Sequence, residues 1–199
     1  KGVHNKLNAA AAIKTAQVLE IDKSVVKKTV ESFTGLPGRL EAVAEIKGVE
    51  YINDTASTAP AAAIASVEIF SKPVILITGG HSKNLDMSDL AKKIAEKVKK
   101  AVFLEGEETK NLISLVRRFG GQRKIIGPFS DFKKAVVQAS EIANKGDVVL
   151  LSPGCASFGM FVNEFDRGEQ FNKIVNYITD SLIKRAFFNN EKAELLLLR

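Results

Sequence analysis

Residues 73–84 of this chain are PVILITGGHSKN, an apolar run that ends in two glycines, a histidine and a lysine. Residues 147–157, DVVLLSPGCAS, form a second apolar run that ends in a loop rich in small and hydroxyl-bearing residues. A short continuous apolar run between turn-forming residues indicates a strand that is buried on both faces. Strands of this kind belong to parallel sheets that helices cover on both sides.

On either side of these two strands, short apolar runs alternate with helical patterns. Further strands are predicted at 41–46, 49–53, 101–105 and 123–126. The first two form a β-hairpin around Lys47-Gly48. Helices are predicted at 60–70, 88–99, 107–118, 130–145 and about 166–184. This alternation predicts an α/β fold, a Rossmann-like and mostly parallel sheet with helices on both faces.

The N-terminal segment differs, because it contains only helical patterns. Helices are predicted at 7–20, with Asn5 as N-cap, and at about 23–33, with Asp22 as N-cap. The string TGLPGR (34–39) has the composition of a linker.

The sequence therefore predicts three parts. They are residues 1–35, the last helices of a preceding domain, residues 36–184, the α/β domain, and residues 185–199, a tail. The tail is expected to pack on its own body or on a neighbour, and a specific role in oligomerisation is the alternative. Since the chain opens on Lys1 and runs straight into a helical pattern, we interpret it as a piece of a longer protein.

Composition limits the classes of function. The 199 residues are 45% hydrophobic and 26% charged, which excludes disordered and fibrous classes. No apolar run approaches the roughly 20 residues of a membrane span, and the single cysteine favours a cytoplasmic protein. The net charge of +6 suits a phosphorylated or carboxylated small ligand. Aromatic residues make up only 7%, with no Trp, so a nucleic-acid partner is not expected. Since no apolar run could span a membrane, a membrane partner is not expected either.

Chemistry is expected in the loops at the carboxyl ends of the strands, where α/β sheets bind ligands. These loops are Asp54–Thr58, Gly79–Asn84, the turn at Gly106, and Ser152–Ser157. Glycine lets backbone N–H groups approach an anion, and hydroxyl groups and a lysine complete its surroundings. The loops therefore suit a carboxylate or a phosphate.

Alternative interpretations remain for single residues in these loops. Gly79-Gly80 alone also suits a tight turn, and Asp54 suits either ribose hydroxyls or the start of a turn. Cys155 is expected to be a small buried residue rather than a nucleophile, since no base accompanies it. His81 is expected to be a loop residue rather than a metal ligand. The chain has neither a P-loop nor a G-x-G-x-x-G string.

Five strings occur in collinear order over about residues 1–180. They are HNKLNAAAAI (4–13), FTGLPGRLEAV (33–43), GVEYINDTASTAP (48–60), VILITGG-x-x-K (74–83) and GDVVLLSPGCASFGMF with RG-x-x-F (146–171). In these strings the chain resembles the Mur ligases. SPGCASF and GLP-x-R-x-E are the most specific, and NDTASTAP stands where sister ligases for other amino acids carry a D-Y-A-H-x-P-like string. This favours the branch of the family that adds D-glutamate.

The resemblance implies a three-domain, ATP-dependent amide ligase of peptidoglycan precursor synthesis. ATP would phosphorylate the carboxylate of UDP-MurNAc-L-alanine, and the amine of D-glutamate would attack the acyl phosphate. This chain would be the third, amino-acid-binding domain plus the final helices of the central ATPase domain. Mg²⁺ would be bound mainly by the central domain, and the protein is expected to be a cytoplasmic monomer. Without a P-loop, the chain alone is expected to be inactive.

Matching positions assign seven residues to ligands, none of them catalytic and none a metal ligand. Those expected around the nucleotide are Asn5 and Asn8 near the adenine, Arg39 at the phosphates and Asp54 at the ribose. Those expected around the carboxylates of D-glutamate are Thr58, Lys83 and Ser157.

Three positions depart from the commonest family pattern. Ala56 stands where the family often has a lysine, Gly38 where it has a histidine, and Glu164 where an aromatic residue often packs near the amino acid. These departures indicate a divergent branch in which Lys83 carries more of the charge pairing. They also leave open another Mur-like or folylpolyglutamate synthase-like ligase, or a non-catalytic Rossmann-like binding module.

Overall fold

The chain divides into two compact units, Lys1–Leu36 and Pro37–Arg199. The computed structural model describes the backbone of residues 3–197 and the side chains of residues 6–182. None of the helices in this described part is long and apolar enough to cross a lipid bilayer.

The first unit consists of two helices, α1 (Val3–Val18) and α2 (Lys23–Ser32). Asp22 caps α2, as predicted, because its Oδ1 accepts a hydrogen bond of 2.7 Å from the backbone N–H of Ser24. Its hydrogen bonds with Ser24 also lower the pKa of the Asp22 carboxyl. The prediction that Asn5 caps the first helix is wrong, since α1 already begins at Val3.

The second unit is a six-stranded sheet with helices on both faces, which confirms the predicted fold class. The strands are β1 (Glu41–Ile46), β2 (Val49–Asn53), β3 (Val74–Thr78), β4 (Lys100–Leu104), β5 (Ile125–Phe129) and β6 (Val148–Leu151). The helices are α3 (Pro60–Glu68), α4 (Ser88–Lys97), α5 (Glu107–Arg118), α6 (Phe132–Glu141) and α7 (Glu164–Leu197). The strand order is β1-β2-β6-β3-β4-β5, and only the β1–β2 hairpin is antiparallel.

Strands β3 and β6 lie next to each other in the centre, and every residue of both strands is buried. Because successive side chains point to opposite faces, the two strands contribute to two cores. Leu76 and Leu150 pack with residues of α3, α4 and α5, whereas Ile75 and Val149 pack with residues of α6 and α7. Because β2, β6, β3, β4 and β5 run parallel to one another, their carboxyl ends lie along one edge of the sheet.

Several predicted elements have different bounds in the structure. Helix α1 covers Val3–Val18 rather than 7–20, and α6 covers Phe132–Glu141 rather than 130–145. Strand β5 covers Ile125–Phe129 rather than 123–126, and a short 3-10 turn, Gln122–Lys124, precedes it. Helix α7 covers Glu164–Leu197 instead of ending near residue 184. The backbone of most of the predicted tail, 185–199, thus continues this helix, and its side chains lie outside the described residues.

Candidate functional site

Backbone hydrogen bonds join the loops that follow β2, β3 and β6. His81 and Ala156 exchange two bonds of 3.1 Å, from each N–H to the other's carbonyl oxygen. The N–H of Gly79 donates to the Pro153 carbonyl oxygen at 3.0 Å, and the N–H of Gly154 donates to the carbonyl oxygen of Ser57 at 2.8 Å. The three predicted ligand loops therefore form one continuous surface at the carboxyl edge of the sheet.

Glycine is required where these loops approach each other most closely. A Cβ on Gly80, whose φ is +141°, would lie 2.4 Å from the carbonyl oxygen of Ala156. A Cβ on Gly106 would lie 2.3 Å from the carbonyl carbon and oxygen of Gly80. Gly80 is thus required for more than a tight turn, because the absence of a side chain lets its backbone contact the backbone of Ala156.

Lys83 and Thr58, two of the residues expected around D-glutamate, are in direct contact. The Nζ of Lys83 donates to Thr58 Oγ1 at 2.7 Å, although 25 residues separate them. Lys83 is exposed, and among the described side chains no carboxylate pairs with it. Since an ammonium group has three donors, its remaining N–H groups can bind an anion.

Ser157, the third of these residues, ends the loop that follows β6. It is buried, and the adjacent Ala156 is the residue that pairs with His81. The structure therefore places Ser157 on the loop that is joined to the Lys83 loop.

Glu108 supports the Lys83 loop, a role that the sequence analysis missed. Its buried carboxylate accepts hydrogen bonds from Ser82 Oγ and, at 2.6 Å, from Asn111 Nδ2. Its backbone N–H donates to the carbonyl oxygen of Gly80 at 3.1 Å. Acidic residues are common in the first turn of a helix because they interact favourably with the helix dipole. The position of Glu108 in the sequence therefore does not indicate that it contacts another loop.

Asp54 is buried, and its carboxylate is occupied by donors of the chain itself. Its Oδ1 accepts from the N–H of Leu40 at 3.2 Å, and its Oδ2 accepts from Ser66 Oγ at 2.6 Å and Ser152 Oγ at 2.8 Å. Donors of the chain thus take three of the about four acceptor sites of this carboxylate, and the ribose contact stays a prediction.

The other residues expected at the nucleotide are distributed over the two units. Arg39 is exposed in the turn before β1, within the second unit. Asn8 is exposed on α1 in the first unit. The side chain of Asn5, on the same helix, lies outside the described residues.

Arg167, from the RG string, is fully buried and fixes the loop that carries Thr58. Its Nε donates to Thr55 Oγ1 at 3.0 Å and its Nη2 donates to the Thr55 carbonyl oxygen at 2.9 Å. Thr55 Oγ1 in turn donates to the carbonyl oxygen of Glu164 at 2.7 Å. The third nitrogen, Nη1, has no hydrogen-bond partner among the residues that the structure describes. Burial lowers the pKa of this guanidinium to about 10, so it remains charged at neutral pH.

Cys155 is buried, as predicted. Burial raises the pKa of its thiol to about 12, and the negative charge of Glu108 adds to this effect. The thiol therefore stays protonated at neutral pH and is a poor nucleophile.

A cleft of about 480 Å³ lies beside the Arg39 turn, entirely within the second unit. Its lining includes Gly38, Glu41, Asn53, Thr55, Phe165 and Asn172. Amide, carboxylate and aromatic groups thus line a space large enough for part of a small organic ligand.

Comparisons with known proteins identify relatives of this chain. The family model for the Mur ligase, glutamate ligase domain matches residues 38–155. The UDP-N-acetylmuramoylalanine–D-glutamate ligase of Roseiflexus sp. (strain RS-1) is 48% identical over 179 residues, which are 90% of this chain and 38% of that protein. The protein of the same name from Pelotomaculum thermopropionicum is 41% identical over 175 residues, 87% of this chain and 38% of its own length. This chain thus spans 38% of the length of both relatives.

Among solved structures, folylpolyglutamate synthase from Mycobacterium tuberculosis, complexed with ADP and AMPPCP, is similar with a TM-score of 0.62. The match covers 85% of this chain and 40% of that protein. At 17% sequence identity, this similarity concerns the fold alone.

Proposed function

Because this chain belongs to the Mur ligase family, we propose that it is the C-terminal part of a UDP-N-acetylmuramoyl-L-alanine–D-glutamate ligase. The names of its relatives at 48% and 41% identity support this activity. The second unit would be the amino-acid-binding domain, and the two helices of the first unit would complete the central ATPase domain. We further propose that the enzyme is a monomer and acts in the cytoplasm, where a UDP-linked precursor would be its substrate.

In the proposed reaction, ATP phosphorylates the carboxylate of UDP-MurNAc-L-alanine, and the amine of D-glutamate displaces the phosphate. The residues of this chain would bind and orient the reactants, which is mainly positioning and charge stabilisation. Lys83, Thr58 and Ser157 would hold the carboxylates of D-glutamate.

At the nucleotide, the exposed guanidinium of Arg39 would contact the phosphates of ATP, since a guanidinium fork suits phosphate oxygens. Asp54 would contact the ribose, and Asn5 and Asn8 would lie near the adenine. The described side chains form no group of three or more potential metal ligands. Mg²⁺ would be bound mainly by the central ATPase domain, and no step of this proposal depends on a metal site in this chain.

The observation that carries the proposal is the contact between Lys83 Nζ and Thr58 Oγ1 at 2.7 Å. It brings a cation and a hydroxyl group from two different loops to one point, without a carboxylate of the described chain to neutralise the lysine. An incoming carboxylate can accept hydrogen bonds from both groups. The Thr58 hydroxyl accepts from Lys83 and can still donate its own proton to the carboxylate. The half-buried position of Thr58 favours binding, because partial exclusion of water strengthens the interaction of the charges.

The test is amide-bond formation by the full-length protein, measured as phosphate release from ATP with UDP-MurNAc-L-alanine. We expect release to depend on D-glutamate and not on L-glutamate, L-alanine, L-lysine or diaminopimelate. Dependence on another amino acid would identify a different Mur-like ligase. Dependence on a folate and L-glutamate would identify a folylpolyglutamate synthase-like enzyme, and the absence of any release would favour a binding module.

A further inference from the structure

Arg39 lies between two residues with left-handed backbone conformation. Gly38 has a φ of +70° and Leu40 a φ of +48°. Glycine adopts this conformation freely, but leucine does so rarely, because its Cβ crowds the neighbouring carbonyl oxygen. Contacts with the rest of the unit must therefore hold the Gly38–Leu40 turn in this shape.

Three hydrogen bonds from outside the turn provide this support. The N–H of Gly38 donates to Glu41 Oε2 at 2.8 Å, and the N–H of Leu40 donates to Asp54 Oδ1 at 3.2 Å. The carbonyl oxygen of Gly38 accepts from the N–H of Ala56 at 3.0 Å. Two of the three bonds thus end on a carboxylate, and hydrogen bonds to charged acceptors are stronger than neutral ones.

Both carboxylates are themselves held in place. Glu41 accepts from the side-chain amides of Asn53 and Asn172, each at 3.3 Å. The second oxygen of Asp54 accepts from the two serine hydroxyls that lie beside it in the core. Neither side chain can turn away from the backbone of the turn without losing these partners.

The side chain of Arg39 contrasts with its rigid backbone. It is exposed, and within residues 6–182 it makes no hydrogen bond or ion pair. We propose that Glu41 and Asp54 are positioning residues that hold the Gly38–Leu40 turn, so that Arg39 presents its guanidinium to a ligand phosphate from a fixed base. This inference rests on the proposed function, in which that phosphate belongs to ATP.

Glu41 offers the sharper test, because Asp54 also has a proposed ligand contact. In the full-length protein, we expect Glu41→Ala to raise the KM for ATP by about 10- to 150-fold, the equivalent of one lost hydrogen bond to a charged group. The KM for D-glutamate should stay the same. Glu41→Gln, which keeps an acceptor oxygen, should recover most of the ATP affinity. The control is Glu45→Ala, an exposed residue of the same strand, which should behave as wild type.

A double-mutant cycle separates positioning from a general loss of stability. If Glu41 acts through Arg39, the Arg39→Ala, Glu41→Ala double variant should have the same KM for ATP as Arg39→Ala alone. Additive effects, or a KM for ATP unchanged by Glu41→Ala, would overturn the inference. Residue-resolved amide exchange on the same proteins should show that Glu41→Ala accelerates exchange at Gly38 and that Glu45→Ala does not.

The exchange measurement also distinguishes failure of this inference from failure of the proposed function. If the wild-type enzyme does not use D-glutamate, the proposed function is wrong, while protection of the Gly38 amide still reports whether Glu41 holds the turn. If the enzyme is active but the wild-type Gly38 amide exchanges at the rate of an unprotected amide, the inference is wrong.

Discussion

The two units of this chain differ in what keeps them folded. None of the side chains of residues 6–36 in the first unit is buried, whereas every residue of β3 and β6 in the second unit is. The first unit depends on local features such as helix propensity and the Asp22 cap. The second depends on two cores and on close contacts between loops. A substitution should therefore have local consequences in the first unit and global ones in the second.

The largest effect is expected from Gly106→Ala, because the new Cβ would lie 2.3 Å from the backbone of Gly80. Backbone atoms on both sides cannot move aside cheaply, so we expect a loss of about 3 kcal/mol or more in the free energy of unfolding. Urea unfolding followed by circular dichroism measures this loss. Gly120→Ala is the control, since its Cβ meets no atom within 4 Å and only the φ of +83° opposes it. It should cost about 1 kcal/mol, and equal costs at both sites would contradict the steric argument.

Lys83→Ala should remove function from the second unit while leaving its stability intact. The lysine is exposed and its one hydrogen-bond partner is Thr58 among the described side chains. A bound carboxylate would lose its cation, which costs about 2–4 kcal/mol of binding. In the full-length enzyme this raises the KM for D-glutamate by roughly 30- to 1,000-fold and leaves the KM for ATP nearly unchanged. A shift in the ATP constant alone would refute the assignment of this loop.

Cys155 should make the stability of the second unit depend on alkaline pH. Its thiol has a pKa raised to about 12 in the folded chain, above the ordinary value of 9.0. Between these pH values the unfolded chain loses the proton and the folded chain keeps it, so stability falls as pH rises. We expect a slope of roughly 1 kcal/mol per pH unit above pH 9. Urea unfolding at pH 8, 9 and 10 measures it, and the slope should be smaller in Cys155→Ala.

The smallest and most local effect is expected from Asp22→Ala in the first unit. This change removes the acceptor for the Ser24 N–H and so weakens the start of α2. Amide exchange should become several-fold faster in α2, with no change in β3 or β6. Asp22→Asn keeps an acceptor oxygen and should restore the wild-type rates. Faster exchange in the central strands would contradict the expectation that the cap acts only on α2.

Much of the fold could be predicted from local patterns. The hairpin strands 41–46 and 49–53 and the helix 107–118 have the predicted bounds, because a glycine turn and a clear amphipathic period mark them. The predicted bounds of strand β5 are wrong by two to three residues, because its half-buried edge position is defined by pairing with β4 rather than by its own composition. Helix α7 extends beyond its predicted end near residue 184, because residues 185–197 contain neither glycine nor proline to stop it.

The candidate site was predictable only in part. The loops could be located from the sequence, because carboxyl ends of parallel strands share one edge of the sheet. The family resemblance placed Lys83 and Thr58 near the same ligand, but their direct contact was not predictable. Nor were the support from Glu108 and the burial of Arg167, because each joins residues at least 26 positions apart.

The sequence by itself determined the class of the fold, the position of the ligand loops and the family, because these depend on the order of residues along the chain. Only the tertiary structure decided which charged side chains stay exposed and which are buried inside the protein. Lys83 and Arg39 remain exposed, whereas Asp54, Glu108 and Arg167 are buried and bound by partners from other segments of the chain. The physical reason is that burying a charge requires several donors or acceptors to converge on it, and that convergence arises only when distant segments pack together.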